Sequence, residues 1–405
     1  MIHKPTETTE RTETDFLGEK QIPGDAYYGI NALRGYENFN ISGAQIDNVL
    51  IKTVAWVKKA CVSANLDCGA ISKDTADAIA AACDKIAGGG YNHCFIGNPL
   101  QGGGGTSLNM TANEIIANIA LELLGHKKGD YGAVNPLAHV NMSQSTNDIL
   151  PTAVNLALIL KSKPLLAAIR GLTETLSAKS KEMSEVIKMG RTHLNAASPI
   201  SLGQCFDAYA VMAGRDYERI KTASGNLRAV PLGGTVVGTG LDTTQHYRER
   251  VIERLRQISG TDVEACANLA DGIHNVDQYT ALSSALKVCM LNLSKIASDL
   301  RLLGSDPRHG LGELRLPPRQ MGSSIIPDKV NPVMAELINN VSFMVCGYDL
   351  TVSMAAQAGQ LELNVYKPVI SYCLFNSVDM MTEALALFDR FCLKDLKPAA
   401  DSGVR

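Results

Sequence analysis

Residues 281–303 read ALSSALKVCMLNLSKIASDLRLL. Apolar positions recur in this stretch at alternating spacings of four and three residues, in a heptad stripe formed by Leu282, Leu286, Cys289, Leu293, Ile296, Leu300 and Leu303. Such a period returns to one side of a helix every two turns and does not fit a strand. The stretch therefore predicts a long helix packed on other helices. So wide an apolar face also favours association between protomers.

Two other stretches favour the same architecture. Residues 151–189 carry one apolar stripe, in which Pro164 would kink the helix or begin a new one. Its members are Leu165, Ile169, Leu172, Leu176, Met183 and Val186. A third helix is predicted after Pro332, with Leu337, Val341, Met344 and Tyr348 on its apolar side. Residues 1 to about 100, which precede a run of glycines, are predicted to be irregular with short helices.

The composition also favours helices. Lys and Arg number 38 and Asp and Glu 41, and this formal charge of −3 argues against a nucleic-acid-binding protein. Aromatic residues make up only 5% of the chain, which indicates an aliphatic, alanine-rich core. No uncharged apolar run reaches about 18 residues and no secretory signal is present, so we expect a cytoplasmic protein without a membrane span. The ten cysteines form no C-x-x-C pair and are expected to be buried, reduced thiols.

Four polar segments do not fit the interior of a helix. They are residues 101–114 (QGGGGTSLNMTANE), 139–148 (HVNMSQSTND), 190–195 (GRTHLN) and 322–332 (GSSIIPDKVNP). Each has an ordinary interpretation: a flexible linker, a helix N-cap, a surface histidine and a helix-to-helix loop. Together they offer main-chain N–H groups, hydroxyls, amides, a histidine and a lysine, with no metal-binding cluster and no cofactor fingerprint. That set predicts a site for a small dicarboxylate.

The four segments, in this order, resemble the aspartase/fumarase superfamily. Residues 322–332 are similar to its signature loop G-S-S-x-x-P-x-K-x-N, and three further stretches also resemble family segments: DAYYGI (25–30), PLGGTVVGTG (231–240) and QAGQLELN (357–364). The resemblance runs through nearly the whole chain. The pair Thr106-Ser107 and the triplet Ser145-Thr146-Asn147 resemble aspartate ammonia-lyases more than class II fumarases.

The resemblance implies a role for each polar residue. Ser323 matches the general base, on a mobile loop that must close to make a serine basic enough. His193 and Asn147 match the residues near the leaving amino group. The α-carboxylate would be held by Thr192, Lys329 and Asn331, and the β-carboxylate by Thr106, Ser145, Thr146 and Ser324. No organic cofactor and no catalytic metal are implied.

The family further implies a fumarase/aspartase-like, mainly α-helical fold. We expect an N-terminal domain at residues 1–145, a central long-helix bundle at 146–395 and a short tail at 396–405. A homotetramer with sites shared between chains is implied, acting on L-aspartate and fumarate by reversible deamination. A fumarase or another amino-succinate lyase is the first alternative, and a non-catalytic bundle homologue, without enzyme activity, is the second.

Four departures from the family pattern bear on these expectations. Ala196 stands where the family usually has an acid, Asp328 precedes Lys329 in the signature loop, and Lys367 replaces an acid after Asn364. The sequence also ends at Arg405 without the family's small C-terminal domain, so we expect a fold that lacks it and a less enclosed site.

Overall fold

The computed structural model describes residues 10–326 and 329–399. The protein is mainly helical, as the sequence predicted. Its helices are α1 (Ile30–Phe39), α2 (Asn48–Asp67), α3 (Lys73–Ala87), α4 (Thr106–Leu123), α5 (Thr146–Glu182), α6 (Leu202–Gly225), α7 (Gln245–Ser259), α8 (Leu269–His274), α9 (Asp277–Leu303), α10 (Val333–Gln357) and α11 (Lys367–Phe388).

Within the described residues, the strands form four separate two-stranded pairs. Three are antiparallel: β1 (Glu10–Asp15) with β2 (Gly18–Pro23), β3 (Ile187–Thr192) with β4 (Asn195–Ser201), and β7 (Leu314–Arg315) with β8 (Lys397–Pro398). The short pair β5 (Ala229–Val230) with β6 (Glu264–Ala265) is parallel. None of these strands was predicted from the sequence. The pair of β3 and β4 contains residues 190–195, whose ordinary interpretation was a surface histidine. Strand β3 begins inside the stretch 151–189 that was predicted to be helical, so that prediction was wrong beyond Glu182, where α5 ends.

The N-terminal region is more regular than predicted. Helices α2 and α3 span 20 and 15 residues, so the expectation of short helices in residues 1 to about 100 was wrong. Helix α2 is buried on most of its circumference and therefore shows no one-sided apolar stripe. Its start is nevertheless marked in the sequence, because the Asp47 side chain accepts hydrogen bonds from the main-chain N–H groups of Val49 and Leu50.

Helix α5 continues without a break for 37 residues, from Thr146 to Glu182. Pro164 lies inside it and does not start a new helix, so that part of the prediction was wrong. Its ring is on the exposed side of the helix. By length and composition α5 could cross a membrane, but 61% of its most apolar window is buried inside the protein. That burial is typical of the core helix of a soluble protein.

The heptad stripe of residues 282–303 is confirmed as one face of α9. All seven of its apolar residues are buried within a single protomer. The stripe therefore needs no second chain to cover it, and it gives no independent indication of oligomerisation. The helix predicted after Pro332 is also confirmed as α10, but its buried face is different. Met344 is exposed, and the core side carries Ile338, Val341, Val345 and Val352.

The chain divides into two compact units, and each combines three stretches of sequence. The first comprises the described parts of Met1–Leu160, Asn226–Asp277 and Val352–Tyr372. The second comprises those of Lys161–Gly225, Gln278–Thr351 and Cys373–Arg405. The expected N-terminal domain at residues 1–145 and bundle at 146–395 do not coincide with these two units, and that division of the chain stays a prediction.

Buried polar side chains fix the helices within each unit. In the first, the Glu114 carboxylate on α4 accepts hydrogen bonds from the main-chain N–H groups of Gly29, Asn31 and Ala32 at the start of α1. In the second, Asp216 on α6 accepts from Asn292 on α9 at 2.9 Å. All ten cysteines are free thiols, as predicted, and six of them are buried.

Candidate active site

The glycine run at residues 102–105 turns the chain sharply into α4. Gly103, Gly104 and Gly105 have φ values of +80°, +65° and +96°, a conformation that side chains rarely adopt. A Cβ on Gly105 would also lie 2.1 Å from Leu150. Thr106 is the first residue of α4 and is exposed, with its hydroxyl donating to the Gly103 carbonyl at 2.8 Å. The run is therefore a built turn at a helix N-terminus and not a flexible linker.

The triplet Ser145-Thr146-Asn147 forms the start of α5. The Ser145 hydroxyl accepts from the Asn147 N–H at 3.2 Å, and Asp148 accepts from the Ser145 N–H at 3.0 Å. This reciprocal arrangement is a capping box, so the helix-cap interpretation is correct for Ser145. The Thr146 hydroxyl accepts from Asn109 at 3.1 Å. The Asn147 amide donates to the Val236 carbonyl at 2.7 Å, which places the triplet beside the 231–240 segment.

A fully buried lysine binds two of the polar residues that precede the triplet. Lys58 on α2 donates to the side-chain oxygens of Asn141 and Gln144 at 2.9 and 2.8 Å. Asn141 accepts in addition from Asn109 and Asn113 on α4. Burial lowers the pKa of Lys58 to about 8. Sequence reasoning missed this lysine, because α2 also carries Lys52 and Lys59 and nothing in the sequence distinguishes the buried lysine from these two.

Thr192 and His193 lie at the tip of the β3–β4 hairpin. Thr192 pairs with Asn195, which leaves His193 and Leu194 as a two-residue turn. Their φ values are +54° and +61°, the left-handed conformation of a type I′ turn. Leucine rarely adopts this conformation, and such strain is often found at functional sites. Both Thr192 and His193 are exposed, so their side chains are accessible to a ligand.

Hydrogen bonds within the signature loop join its two ends. Asn331 donates its side-chain N–H to the Gly322 carbonyl at 2.7 Å. A Cβ on Gly322 would lie 2.1 Å from the Lys329 carbonyl oxygen, so glycine is needed there for close approach. The Ser323 hydroxyl oxygen accepts from the main-chain N–H groups of Ile325 and Ile326, both at 3.1 Å. Ser324 and Lys329 are exposed, and Asp328 lies outside the described residues.

The predicted site residues divide between the two units. Thr106, Ser145, Thr146 and Asn147 belong to the first unit. The second contains Thr192, His193, Ser323, Ser324, Lys329 and Asn331. In the first unit, hydrogen bonds through Asn109 and Asn141 connect the triplet to α4. In the second, the residues of the signature loop bond to one another.

Lys367, one of the departures from the family pattern, is buried at the start of α11. Its ammonium group donates to the main-chain carbonyls of Ile273 and Asn364 at 2.7 and 3.2 Å. Burial lowers its pKa to about 8. The neighbouring Val365 packs near Gly104 of the glycine run. Lys367 therefore joins backbone segments that adjoin the glycine turn and does not itself face the solvent.

Comparisons with known proteins agree with this architecture. A family model described as "Lyase" matches residues 18–347. The aspartate ammonia-lyase of Bacillus subtilis (strain 168) is 49% identical over 387 residues, which cover 96% of this chain and 82% of that protein. That of Pseudomonas fluorescens is 44% identical and is covered to 81%.

A solved structure of fumarate lyase:delta crystallin from Brucella melitensis, in its cobalt-bound form, is similar to this chain. The TM-score is 0.95 and the sequence identity is 44%. The match covers 97% of this chain and 86% of that one. The class II fumarase from Schistosoma mansoni gives the same TM-score and coverage at 32% identity. These matches confirm the fumarase/aspartase-like fold expected from the sequence. The chain therefore belongs to the lyase family of the aspartase/fumarase superfamily.

Proposed function

We propose that this protein is an aspartate ammonia-lyase, a carbon–nitrogen lyase that converts L-aspartate reversibly to fumarate and ammonia. The observation that supports this best is the 44–49% identity, over 95% or more of the chain, to curated enzymes of that name. Fumarases share the fold, but the Schistosoma mansoni fumarase is only 32% identical. The aspartase-like triplet Ser145-Thr146-Asn147 favours the same substrate.

The reaction requires a base and strong stabilisation of negative charge. Removing a proton from Cβ of aspartate converts the β-carboxylate into a dianionic aci-carboxylate, which needs hydrogen-bond donors directed at it. We assign those donors to Thr106, Ser145, Thr146 and Ser324. The Ser145 hydroxyl is suited to this, because its oxygen caps α5 as an acceptor and its proton remains available to donate. The Thr106 hydroxyl must turn away from the Gly103 carbonyl to do the same.

We assign the general base to Ser323. A serine hydroxyl in water is a poor general base, because very little of it is present as the alkoxide at neutral pH. Two main-chain N–H groups, of Ile325 and Ile326, already point at the Ser323 oxygen, and they would stabilise negative charge on it. Closure of the loop over the substrate would remove water and strengthen these interactions further.

The remaining residues would hold and orient the substrate. Lys329 supplies the positive charge for the α-carboxylate, assisted by Thr192 and by Asn331. One N–H of the Asn331 amide already bonds within the loop, so its second N–H is left to donate to the carboxylate. His193 and Asn147 lie near the leaving amino group in this assignment. No step requires an organic cofactor or a catalytic metal.

We also propose that the protein is a cytoplasmic homotetramer with sites shared between chains. Members of the superfamily act on dicarboxylates and are typically oligomeric. Helix α10 supports an assembly here, because one of its sides is apolar and exposed. Phe343 is 68% and Leu350 63% exposed, with Met344 and Met354 on the same side and Gly347 between them. A small residue at that position would permit close approach of a second helix.

One assay tests the function. Fumarate absorbs ultraviolet light through its conjugated double bond, so its formation can be followed when the purified protein is mixed in turn with L-aspartate, L-malate and N-substituted aspartates. We expect fumarate to form fastest from L-aspartate. Faster turnover of malate would indicate a fumarase, and of a substituted amine another amino-succinate lyase. No turnover of any of them, with a folded protein, would indicate a non-catalytic homologue.

A further inference from the structure

The hairpin that carries Thr192 and His193 contains a β-bulge. The pairing register of β3 with β4 shifts between Met189 and Arg191, where Gly190 of β3 lies opposite two residues of β4, Ala197 and Ser198. A Cβ on Gly190 would lie 2.6 Å from the Ser198 carbonyl oxygen, so the two strands approach closely there. A bulge bends its strand and redirects the residues beyond it. The geometry of this bulge therefore sets where the tip of the hairpin points.

Two cations surround the bulge and converge on one acid. Lys188 and Arg191 both donate to the Met189 carbonyl, at 2.8 and 3.2 Å. Both also pair with Glu313, whose Oε1 lies 2.6 Å from Arg191 and whose Oε2 lies 3.2 Å from Lys188. The side chains of Glu313 and Lys188 are only 11% and 7% exposed, and that of Arg191 is 24% exposed. These pairs are largely shielded from water, so each charge depends on its partner to offset the cost of its burial.

Glu313 is itself held firmly by its main chain. Its N–H donates to the Leu303 carbonyl at the end of α9, at 2.8 Å, and its carbonyl accepts from the Ala399 N–H at 3.0 Å. The next residues form β7, and the chain then continues into the signature loop. By contrast, most of β4 is exposed, so that half of the hairpin has little packing to fix it.

We propose that Glu313 is a positioning residue that holds the bulge of the β3–β4 hairpin and thereby places Thr192 and His193 for the substrate. This inference rests on the proposed function. Without the Glu313 charge, Lys188 and Arg191 would be two neighbouring cations with no acid between them, and one of them is almost fully buried. The two strands would then be held less firmly at the bulge, and Thr192 and His193 would no longer keep one orientation. The packing of the helices would not change. Displacements of about 1 Å at a reacting group can cost about 10²-fold in rate.

The test is Glu313→Gln, which keeps the shape and removes the charge. We expect amide hydrogen exchange in residues 188–197 to become at least about tenfold faster, with helices α6 and α9 unchanged. We expect kcat for aspartate to fall about 10- to 100-fold. The loss should be small in a Thr192→Ala/His193→Ala background, because a residue that acts through these two side chains cannot cost much once both are gone. Asp216→Asn is the matched control: a buried acid in the same unit that should lower stability without changing hairpin exchange.

A second variant keeps the inference testable if Glu313→Gln does not fold. Arg191→Met removes one of the two cations and leaves the pair of Glu313 with Lys188, so the same two effects are expected in weaker form. Hairpin exchange equal to that of the unaltered protein in the folded variant, or a rate loss that adds fully to that of Thr192→Ala/His193→Ala, would overturn the proposal. If the unaltered protein fails to deaminate aspartate, the proposed function is wrong, but the exchange measurement still decides whether Glu313 holds the hairpin.

Discussion

The Oδ2 atom of Asp148 accepts a hydrogen bond from the main-chain nitrogen of Thr235 at 3.0 Å, and Thr235 is held at a φ of +57°. A β-branched residue is unfavourable in that conformation. The same oxygen accepts from the Gly233 N–H at 3.1 Å. Asp148 directly follows the triplet Ser145-Thr146-Asn147, so one buried carboxylate fixes a strained loop next to three predicted site residues. Burial raises the pKa of Asp148 to about 6.

This pKa predicts a specific pH dependence of stability. The folded protein keeps the Asp148 proton up to about pH 6, whereas an unfolded chain releases it near 3.8. Between those values the folded state binds more protons, so this group's contribution to stability falls as pH rises. Relative to Asp148→Asn, we expect the unaltered protein to lose roughly 2–3 kcal/mol between about pH 4 and pH 7. Urea unfolding of both proteins, at one protein concentration, measures it. A difference that does not change with pH would contradict the prediction.

Ser323→Ala tests the proposed base. We expect kcat for aspartate to fall by a factor on the order of 10² or more, with the fold and the assembly unchanged, because the variant has no oxygen to accept the Cβ proton. Ser305→Ala is the matched control. Ser305 also accepts a main-chain N–H in a loop of the second unit, from Leu311 at 2.8 Å, but is not among the site residues. Equal activity of the two variants would remove Ser323 from the mechanism.

Lys329→Ala tests the proposed contact with the α-carboxylate. We expect kcat/KM to fall by the equivalent of about 2–5 kcal/mol, because a substrate carboxylate removed from water would lose its partner. Inhibition by malonate and succinate should weaken in parallel. Lys181→Ala removes an exposed lysine at the end of α5 and should change neither quantity. Unchanged inhibitor binding in Lys329→Ala would place the carboxylate site elsewhere.

The features that the sequence predicts well are those with a period or a capping residue. The stripe from Leu282 to Leu303 identifies α9, and Ser145 marks the start of α5. The polar segments were also recognisable, because hydroxyls and amides in series are unusual in a helical protein. Helix α2 was missed because a helix buried on most sides has no amphipathic period. The same residues fit a strand or a loop equally well until their neighbours are known.

The turn at His193 and Leu194 could not be predicted from local sequence. A two-residue hairpin of this type favours Asn-Gly, whereas here the left-handed positions hold His193 and Leu194, and the Leu194 side chain is exposed. The partners of Glu313 are equally hidden, since Lys188 and Arg191 are far from it along the chain. Long-range pairs of this kind leave no spacing in a sequence. The seven positions of the α9 stripe also did not reveal whether a neighbouring helix of the same chain or of another chain covers them.

The last prediction concerns which apolar helix face joins protomers. Leu293 on α9 is 2% exposed, whereas Leu350 on α10 is 63% exposed in the single chain. A charge at a buried position costs far more than the stability of a typical protein allows, so Leu293→Glu should prevent folding. Leu350→Glu places a charge where the protomer alone leaves the side chain in water. We expect it to fold normally and to dissociate the tetramer, with a loss of activity because the proposed sites are shared between chains.

Light scattering and circular dichroism together measure both outcomes. The unaltered protein should have about four times the 43.3 kDa mass of one chain, and Leu350→Glu a smaller mass with the same helical signal. Leu123→Glu is the control, because Leu123 is an exposed leucine at the end of α4 and should leave the mass unchanged. If Leu350→Glu remains an active tetramer, α10 does not form the interface. If the unaltered protein is an active monomer, the proposal of shared sites fails, since a site that draws residues from several chains cannot work in one.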